Sequence, residues 1–238
     1  MEKAVAIITA RGGSKRIPRK NIKEFAGKPM IAYPIQTALD SGIFDEVMVS
    51  TDDKEIADLA IRFGAKVPFF RSEANSDDYS GTAEVLLEVL DEYKKIGRNF
   101  QYCCCLYPTS PLLGKHRLIE AYRLLQENQL DSVFPVLRYS SPIDRSLVVN
   151  DHGFVAMRWP ENLNKRSQDL PTSYFDAGQF YFLNVNSFSK TKELWMEKSS
   201  PIILKEMEAQ DIDNLEDWEI AEFKYKYSRS LYGISDFH

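Results

Sequence analysis

Two short stretches, near opposite ends of a chain of 238 residues, carry side chains able to manage a polyphosphate. The first reads Ala10-Arg11-Gly12-Gly13-Ser14-Lys15-Arg16-Ile17-Pro18-Arg19-Lys20-Asn21. Gly12 and Gly13 have no Cβ, so the backbone there can turn sharply and bring its N–H groups against an anion. Between Arg11 and Lys28 seven cations face the single anion Glu24, although the whole chain carries −5. A basic run alone reads as a solvated surface. The apolar run Val5 to Ile8 just before it, read as a buried strand, makes it a ligand loop instead. The second stretch is Gln210-Asp211-Ile212-Asp213-Asn214-Leu215-Glu216-Asp217. On an extended segment Asp211 and Asp213 point to one side while Ile212 points to the core. Such an oxygen-rich pair suits Mg²⁺ carrying triphosphate oxygens. Asp213 followed three residues on by Glu216 is equally a capping box, and taken alone the cap is the stronger reading.

The elements that must position these stretches follow from periodicity. Met30 to Leu39 has helical spacing, with Pro34 placed in its first turn and Ser41-Gly42 as its stop. Glu46 to Ser50 reads as a second strand, and Thr51-Asp52-Asp53 as a cap before a helix over Glu55 to Phe63. Val67 to Phe70 reads as a third, short strand. Glu84 to Tyr93 is a helix, Gln101 to Leu106 a buried strand, Leu118 to Leu125 a helix, Asp131 to Leu137 a strand and Trp218 to Phe223 a helix. The alternation predicts an α/β fold with a mostly parallel sheet and helices on both faces, and ligands at the carboxyl ends of the strands. From Arg138 to Pro171 the alternation lapses into a loop-rich insertion with short β-like pieces at Leu147 to Val149 and Phe154 to Met157, a length that in a compact fold is usually functional.

Composition narrows the function classes. With 44% hydrophobic and 27% charged residues the chain is read as one domain, 1–238, with no signal peptide or membrane span. Its cysteines, Cys103, Cys104 and Cys105, alternate faces on a strand and cannot converge on a metal; they read as reduced core residues of a cytoplasmic protein. His116, His152 and His238 are scattered, so hydrolase triads gain no support. Basic residues confined to one loop of an acidic chain argue against nucleic acid as a partner. Neither G-x-x-x-x-G-K-[ST] nor G-x-G-x-x-G is present, which removes P-loop ATPases and dinucleotide-binding dehydrogenases.

The glycine loop closely resembles the signature of the CMP-sialic acid synthetase family, the acylneuraminate cytidylyltransferases, which activate nine-carbon acids as CMP-sugars. Arg11, Gly12, Gly13, Ser14, Lys15, Pro18, Lys20 and Asn21 all match it. The resemblance implies the three-layer, Rossmann-like fold of nucleotide-diphospho-sugar transferases and transfer of CMP from CTP, with release of pyrophosphate. It implies CTP binding by Arg11, Gly12, Gly13, Ser14, Lys15 and Asn21, and by Arg71 and Thr82, which otherwise read as a surface residue and a helix N-cap. It makes Asp77-Asp78-Tyr79-Ser80-Gly81-Thr82 part of a segment that closes over the nucleotide. It tips Asp211 and Asp213 toward Mg²⁺ and gives Arg11, Lys20 and Asp211 the catalytic roles. Residues 138–171 then correspond to a dimerisation arm that completes the partner's sugar pocket, which implies a homodimer.

Tyr107, before Pro108-Thr109-Ser110-Pro111, stands where sialic-acid enzymes commonly have glutamine, and Ala177-Gly178-Gln179 where they have Asn-Gly-Ala. Exchange of an amide for an aromatic changes shape and hydrogen bonding. With Arg166-Ser167-Gln168-Asp169 and Asp176, this combination is most similar to the bacterial branch of the family that acts on pseudaminic acid. Tyr107, Gln168, Asp176 and Gln179 are the candidate sugar contacts and Arg166 the candidate carboxylate fork. N-acetylneuraminic, legionaminic and 3-deoxy-manno-octulosonic acids are the alternative substrates. A nucleotide-sensing module without turnover is the alternative of another class.

Overall fold

Ala4 to Ile8 is apolar without interruption, the composition of a strand covered on both faces. In the computed structural model, which describes residues 2–76 and 81–232, it lies within β1 (Glu2–Thr9) inside a seven-stranded sheet. Chain order is β1, a two-residue hairpin of β2 (Glu24–Phe25) and β3 (Lys28–Pro29), α1 (Ala32–Ser41), β4 (Glu46–Ser50), α2 (Lys54–Arg62), α3 (Thr82–Lys95), β5 (Phe100–Leu106), α4 (Lys115–Glu127) and β6 (Ser132–Arg138). A second hairpin of β7 (Leu147–Val149) and β8 (Val155–Met157) precedes β9 (Tyr174–Asp176), β10 (Phe180–Asn184), α5 (Val185–Thr191), β11 (Ser199–Ile203) and α6 (Leu215–Tyr232). The sheet order is β11-β6-β10-β5-β1-β4, with β9 added to β6.

β1 runs parallel to β4 and β5, β11 runs parallel to β6, and β10 is antiparallel to both β5 and β6. Because β10 is reversed, its beginning lies at the edge where β1, β4 and β5 end: Phe180 pairs with Leu106, and Thr9 with Ser50. That edge gathers every segment of the site. Alternation divides the core in two. Ala4, Ala6, Ile8 and Cys104 face α1 and α4, whereas Val5, Ile7, Cys103 and Cys105 face α3 and α5. All three cysteines are buried and unpaired, as the alternation predicted.

The expected strand over Val67–Phe70 does not form. Only Lys66 makes a single bridge to Met48 on edge strand β4, and Pro68, which lacks an N–H, follows at once. Pro34 falls at the third position of α1, inside the first turn. Among the described residues no helix is long and apolar enough to cross a membrane. Between β6 and β9 the chain leaves the main sheet, and the β7–β8 hairpin exposes Leu147, Val149 and Val155, with Phe154 beside it.

A third, smaller core joins the two ends of the chain. Ile17, Phe25, Met30 and Tyr33 bury against Ile212, Trp218 and Ala221. Phe25 meets Tyr33 and Trp218 edge-on, each at 5.4 Å between ring centroids, geometry in which aromatic pairs add attraction beyond their buried area.

Candidate active site

The glycine loop is tied down on the side of β4 and α2. Gly12 donates its N–H to Asp52 Oδ1 at 2.9 Å, and Ser14 donates to the Gly12 carbonyl. A Cβ at Gly12 would stand 2.7 Å from Asp53 Oδ2, so no larger residue fits there without moving Asp53; at Gly13 nothing among the described residues lies within 4 Å of a Cβ. Asp53 caps α2 by accepting from the Glu55 and Ile56 amides and also receives Arg19, which adopts a left-handed φ of 55° and reaches Glu55 as well. Asn21 is buried and donates Nδ2 to the Arg11 carbonyl at 2.9 Å, so its amide N–H fixes the loop's own backbone. Arg71 is buried just beyond the end of β4, donating to Ser50 Oγ at 3.0 Å and to the Ser50 carbonyl at 2.6 Å. Burial lowers its pKa, opposed by the charge of Asp52, and Arg11 is near enough to act on it. Of the segment expected to close over the nucleotide, residues 77–80 lie outside those described.

The carboxyl-terminal stretch meets the loop from the other side. Lys20 Nζ donates to the Ile212 carbonyl at 2.6 Å and lies 4.0 Å from Asp213 Oδ1, while the Arg16 guanidinium is 2.7 Å from Asp213 Oδ2. Burial depresses the pKa of Lys20, and the charges of Asp213, Arg16, Asp211 and Arg11 all act on that ammonium. Arg11 and Asp211 are therefore both within electrostatic reach of one lysine. Asp211 is held above the ordinary carboxyl value, first by loss of solvent on its protein side and then by repulsion from Asp213. Ile212 is fully buried between them, as the extended reading required.

The helix cap is one residue later than expected. Asn214 Oδ1 accepts from the Asp217 amide at 3.0 Å, and Asp217 Oδ2 accepts from the Asn214 amide at 3.0 Å and the Asp213 amide at 2.9 Å, a reciprocal box that uses the Asp213 backbone and not its carboxylate. Likewise Gly81, not Thr82, is the N-cap of α3. Among the described residues no three metal-ligating side chains gather, so the chain offers a pair of carboxylates rather than a closed cage.

Beside Asp211 lies the turn between β9 and β10. A Cβ on Gly178, whose φ is 59°, would be 3.9 Å from Asp211 Cγ. Tyr107 donates its amide to the Gln179 carbonyl at 3.0 Å, and its hydroxyl is 3.3 Å from Thr82 Oγ1. The Tyr107 and Tyr181 rings are 5.7 Å apart, Tyr181 donates its hydroxyl to Asp176, and Asp176 Oδ1 accepts from the Gly178 amide. Burial raises the pKa of both phenols, so each remains a neutral donor. Gln179 is fully buried, donates to the Ala177 and Gly178 carbonyls, and among the described residues its Oε1 has no partner. The structure thus unites Thr82, Tyr107, Asp176 and Gln179. It adds Tyr181, which sequence reasoning missed although its alternate position on an apolar strand was the available signal. Arg166 and Gln168 lie in the stretch between β8 and β9, outside that hydrogen-bonded cluster. Arg166 forks onto Asp169 at 2.7 and 3.0 Å, and Gln168 lines a cavity of about 180 Å³ with Arg138, Tyr139 and Thr172.

Residues 5–226 match the family model described as Cytidylyltransferase. The chain belongs to that family. Among curated relatives of this cytidylyltransferase, the pseudaminic acid cytidylyltransferase of Campylobacter jejuni is 42% identical over 224 residues, covering 94% of this chain and 97% of the relative. The CMP-N,N'-diacetyllegionaminic acid synthase of Legionella pneumophila is 31% identical, covering 92% and 94%. Among solved structures, a CMP:2-keto-3-deoxy-manno-octonic acid synthetase complexed with CTP superimposes with a TM-score of 0.69 at 18% identity, covering 95% of this chain and 99% of that one, which establishes the shared fold.

Proposed function

We propose that this cytidylyltransferase transfers CMP from CTP to pseudaminic acid and releases pyrophosphate. The observation that carries the chemistry is the meeting of the glycine loop with Asp211 and Asp213 around Lys20. The choice of acid rests on the Campylobacter jejuni relative, 42% identical across nearly the whole chain, and on the Tyr107–Tyr181–Asp176 wall. Arg11, Lys20 and the loop backbone at Gly13 and Lys15 hold the triphosphate, while the Gly12 and Ser14 amides, expected to bind it, are spent on Asp52 and on the Gly12 carbonyl and shape the loop instead; Arg71 and Thr82 lie on the nucleotide side. Asn21 keeps the loop in shape by its bond to the Arg11 carbonyl. Tyr107 and Asp176 meet the sugar, and Gln179 fixes the turn that carries Asp176 past Asp211.

The anomeric hydroxyl attacks the α-phosphorus in line with the departing pyrophosphate, a reaction that asks chiefly for positioning and charge neutralisation. Lys20, held by the Ile212 carbonyl, places a fixed cation where negative charge grows on the phosphates. The two neighbouring carboxylates fit Mg²⁺, because burial and then the charge of Asp213 already disfavour charge on Asp211, and the ion takes one or two carboxylates with phosphate oxygens and water. When bound, the ion draws charge from the triphosphate oxygens.

The exposed apolar residues of the β7–β8 hairpin support residues 138–171, which carry Arg166 and Gln168, as an arm of a single domain that reaches the sugar site of a second copy in a homodimer. Three buried, unpaired cysteines accord with a reducing, cytoplasmic location. Pyrophosphate release with CTP, Mg²⁺ and each of pseudaminic, legionaminic, N-acetylneuraminic and 3-deoxy-manno-octulosonic acids tests the assignment. Preferred turnover of pseudaminic acid is expected. Preference for N-acetylneuraminate overturns the substrate, and CTP binding without turnover of any acid favours a sensor.

A further inference from the structure

Arg16 is a loop cation to which the proposed reaction assigns no part. Its side chain is 68% exposed, yet its guanidinium lies 2.7 Å from Asp213 Oδ2. Lys20 approaches the other oxygen of the same carboxylate, 4.0 Å away. Asp213 is therefore covered by cations on both oxygens before any ligand arrives. Since the box at the start of α6 uses the Asp213 amide with Asn214 and Asp217 but not the Asp213 carboxylate, the Arg16 pair is not required to start α6. Ile17, buried next to Arg16 in the small core, fixes the backbone, so that release of Asp213 needs only a movement of the exposed side chain.

We propose that Arg16 is an exchangeable counter-ion. It covers Asp213 in the nucleotide-free protein, leaves when a divalent cation takes that carboxylate, and turns its planar fork to the outer phosphates of CTP. The inference rests on the reading of Asp213 as a metal ligand and of the loop as the triphosphate seat. A guanidinium is repelled by a divalent ion on the same carboxylate, and a triphosphate offers the paired oxygens that a guanidinium binds through two parallel hydrogen bonds. The pair it leaves is an exposed one, cheap to break, which suits an exchange rather than a fixed strut.

The test is a titration of Mn²⁺ into nucleotide-free protein, followed by electron paramagnetic resonance of the free ion, for the parent, Arg16→Gln and Asp213→Asn. CTP affinity of the parent and Arg16→Gln is measured by calorimetry at saturating Mg²⁺. Arg16→Gln is expected to bind Mn²⁺ about fivefold more tightly, the scale of losing one exposed competing ion pair, and CTP about tenfold more weakly, the scale of losing a charge-assisted hydrogen bond. The opposite signs separate the exchange from a merely structural role, which weakens both. Unchanged or weaker Mn²⁺ binding by Arg16→Gln, with Asp213→Asn impaired, overturns the counter-ion and leaves the metal site standing. Tighter Mn²⁺ binding with unchanged CTP affinity overturns the turn to the phosphates. Parent-like Mn²⁺ binding by Asp213→Asn overturns the metal site and the exchange with it.

Discussion

Gly12 and Gly13 are adjacent and chemically identical, yet the structure assigns their missing side chains different consequences. A methyl at Gly12 meets Asp53 Oδ2 at 2.7 Å and Asp53 Cβ at 3.0 Å. Asp53 cannot withdraw freely, because its Oδ1 accepts from the Glu55 amide at 2.9 Å and the Ile56 amide at 3.1 Å while the carboxylate also holds Arg19. Displacing it loses a helix cap, about 1 kcal/mol, and adds overpacking of about 1–3 kcal/mol. Gly12→Ala should therefore cost about 2–4 kcal/mol, a fall of roughly 5–15 °C in Tm for a domain of this size. A methyl at Gly13 meets nothing within 4 Å among the described residues, so Gly13→Ala should leave stability within about 0.5 kcal/mol. If the phosphates lie against the Gly13 backbone, the methyl occupies their approach, and CTP affinity should fall about tenfold or more, the scale of a lost charge-assisted contact. Thermal melts with and without CTP, with calorimetric titration of each variant, give both quantities. Gly13→Ala with parent-like CTP affinity refutes the placement of phosphate on this loop. Gly12→Ala with an unchanged Tm refutes the argument from Asp53.

Lys20→Met removes the bond to the Ile212 carbonyl and the fixed cation together; we expect kcat to fall about 100-fold or more, as when one preorganised electrostatic donor is lost, and parent-like steady-state turnover would remove Lys20 from the mechanism. Asp211→Asn should abolish turnover yet raise the Tm slightly at neutral pH: burial and Asp213 hold this carboxyl above its ordinary value, so its charge opposes folding there. The sign fixes the pH dependence, for that gain should fade as pH falls through the raised pKa toward 3.8, where the parent's Asp211 is itself protonated in the folded state; a gain that persists in acid melts contradicts the assignment. Replacing Leu147, Val149 and Phe154, which are 60%, 67% and 70% exposed, with serine should leave the Tm nearly unchanged. In sedimentation the same variant should run as a monomer, and a dimer of parent affinity would show that the β7–β8 hairpin is not the contact.

What could be read from the sequence was whatever depends on neighbours along the chain. The apolar run Val5–Ile8 declared a buried strand, and the period of two in Asp211-Ile212-Asp213 declared which side chains face the site, because alternation is a property of extended backbone. Where two local patterns competed, sequence could not choose. Asp213 with Glu216 and Asn214 with Asp217 are both plausible boxes. The choice falls to the second pair because Asp213 is engaged by Arg16 and Lys20, residues far away in sequence. Val67–Phe70 was misread for a related reason: its apolar content satisfied the strand pattern, but Pro68 removes a donor at a sheet edge. β11 escaped notice because it carries Pro201, a residue that an edge strand tolerates. Tyr181 acquires meaning only once β10 is reversed beside β5, which sets its ring against Tyr107.

The same separation explains how so basic a loop can be built into the protein at all. Seven cations between Arg11 and Lys28 repel one another, and a flexible loop would relieve that by spreading apart. Here the loop is compressed between two acidic supports. On one side Asp53 and Glu55 receive Arg19, and Asp52 accepts the Gly12 amide. On the other Asp213 receives Arg16, while Lys20 rests on a carbonyl 192 residues further along the chain. The small aromatic core beneath holds both supports at fixed distance by burying Ile17 with Ile212 and Trp218. Arg16, Arg19 and Lys20 thus have fixed partners within the protein, and under the proposed reaction a nucleotide and metal would exchange with groups already in place. Loop and carboxyl-terminal segment are for this reason one functional unit: whatever loosens Trp218 or Phe25 in that core should reach the triphosphate site without touching any residue that binds it.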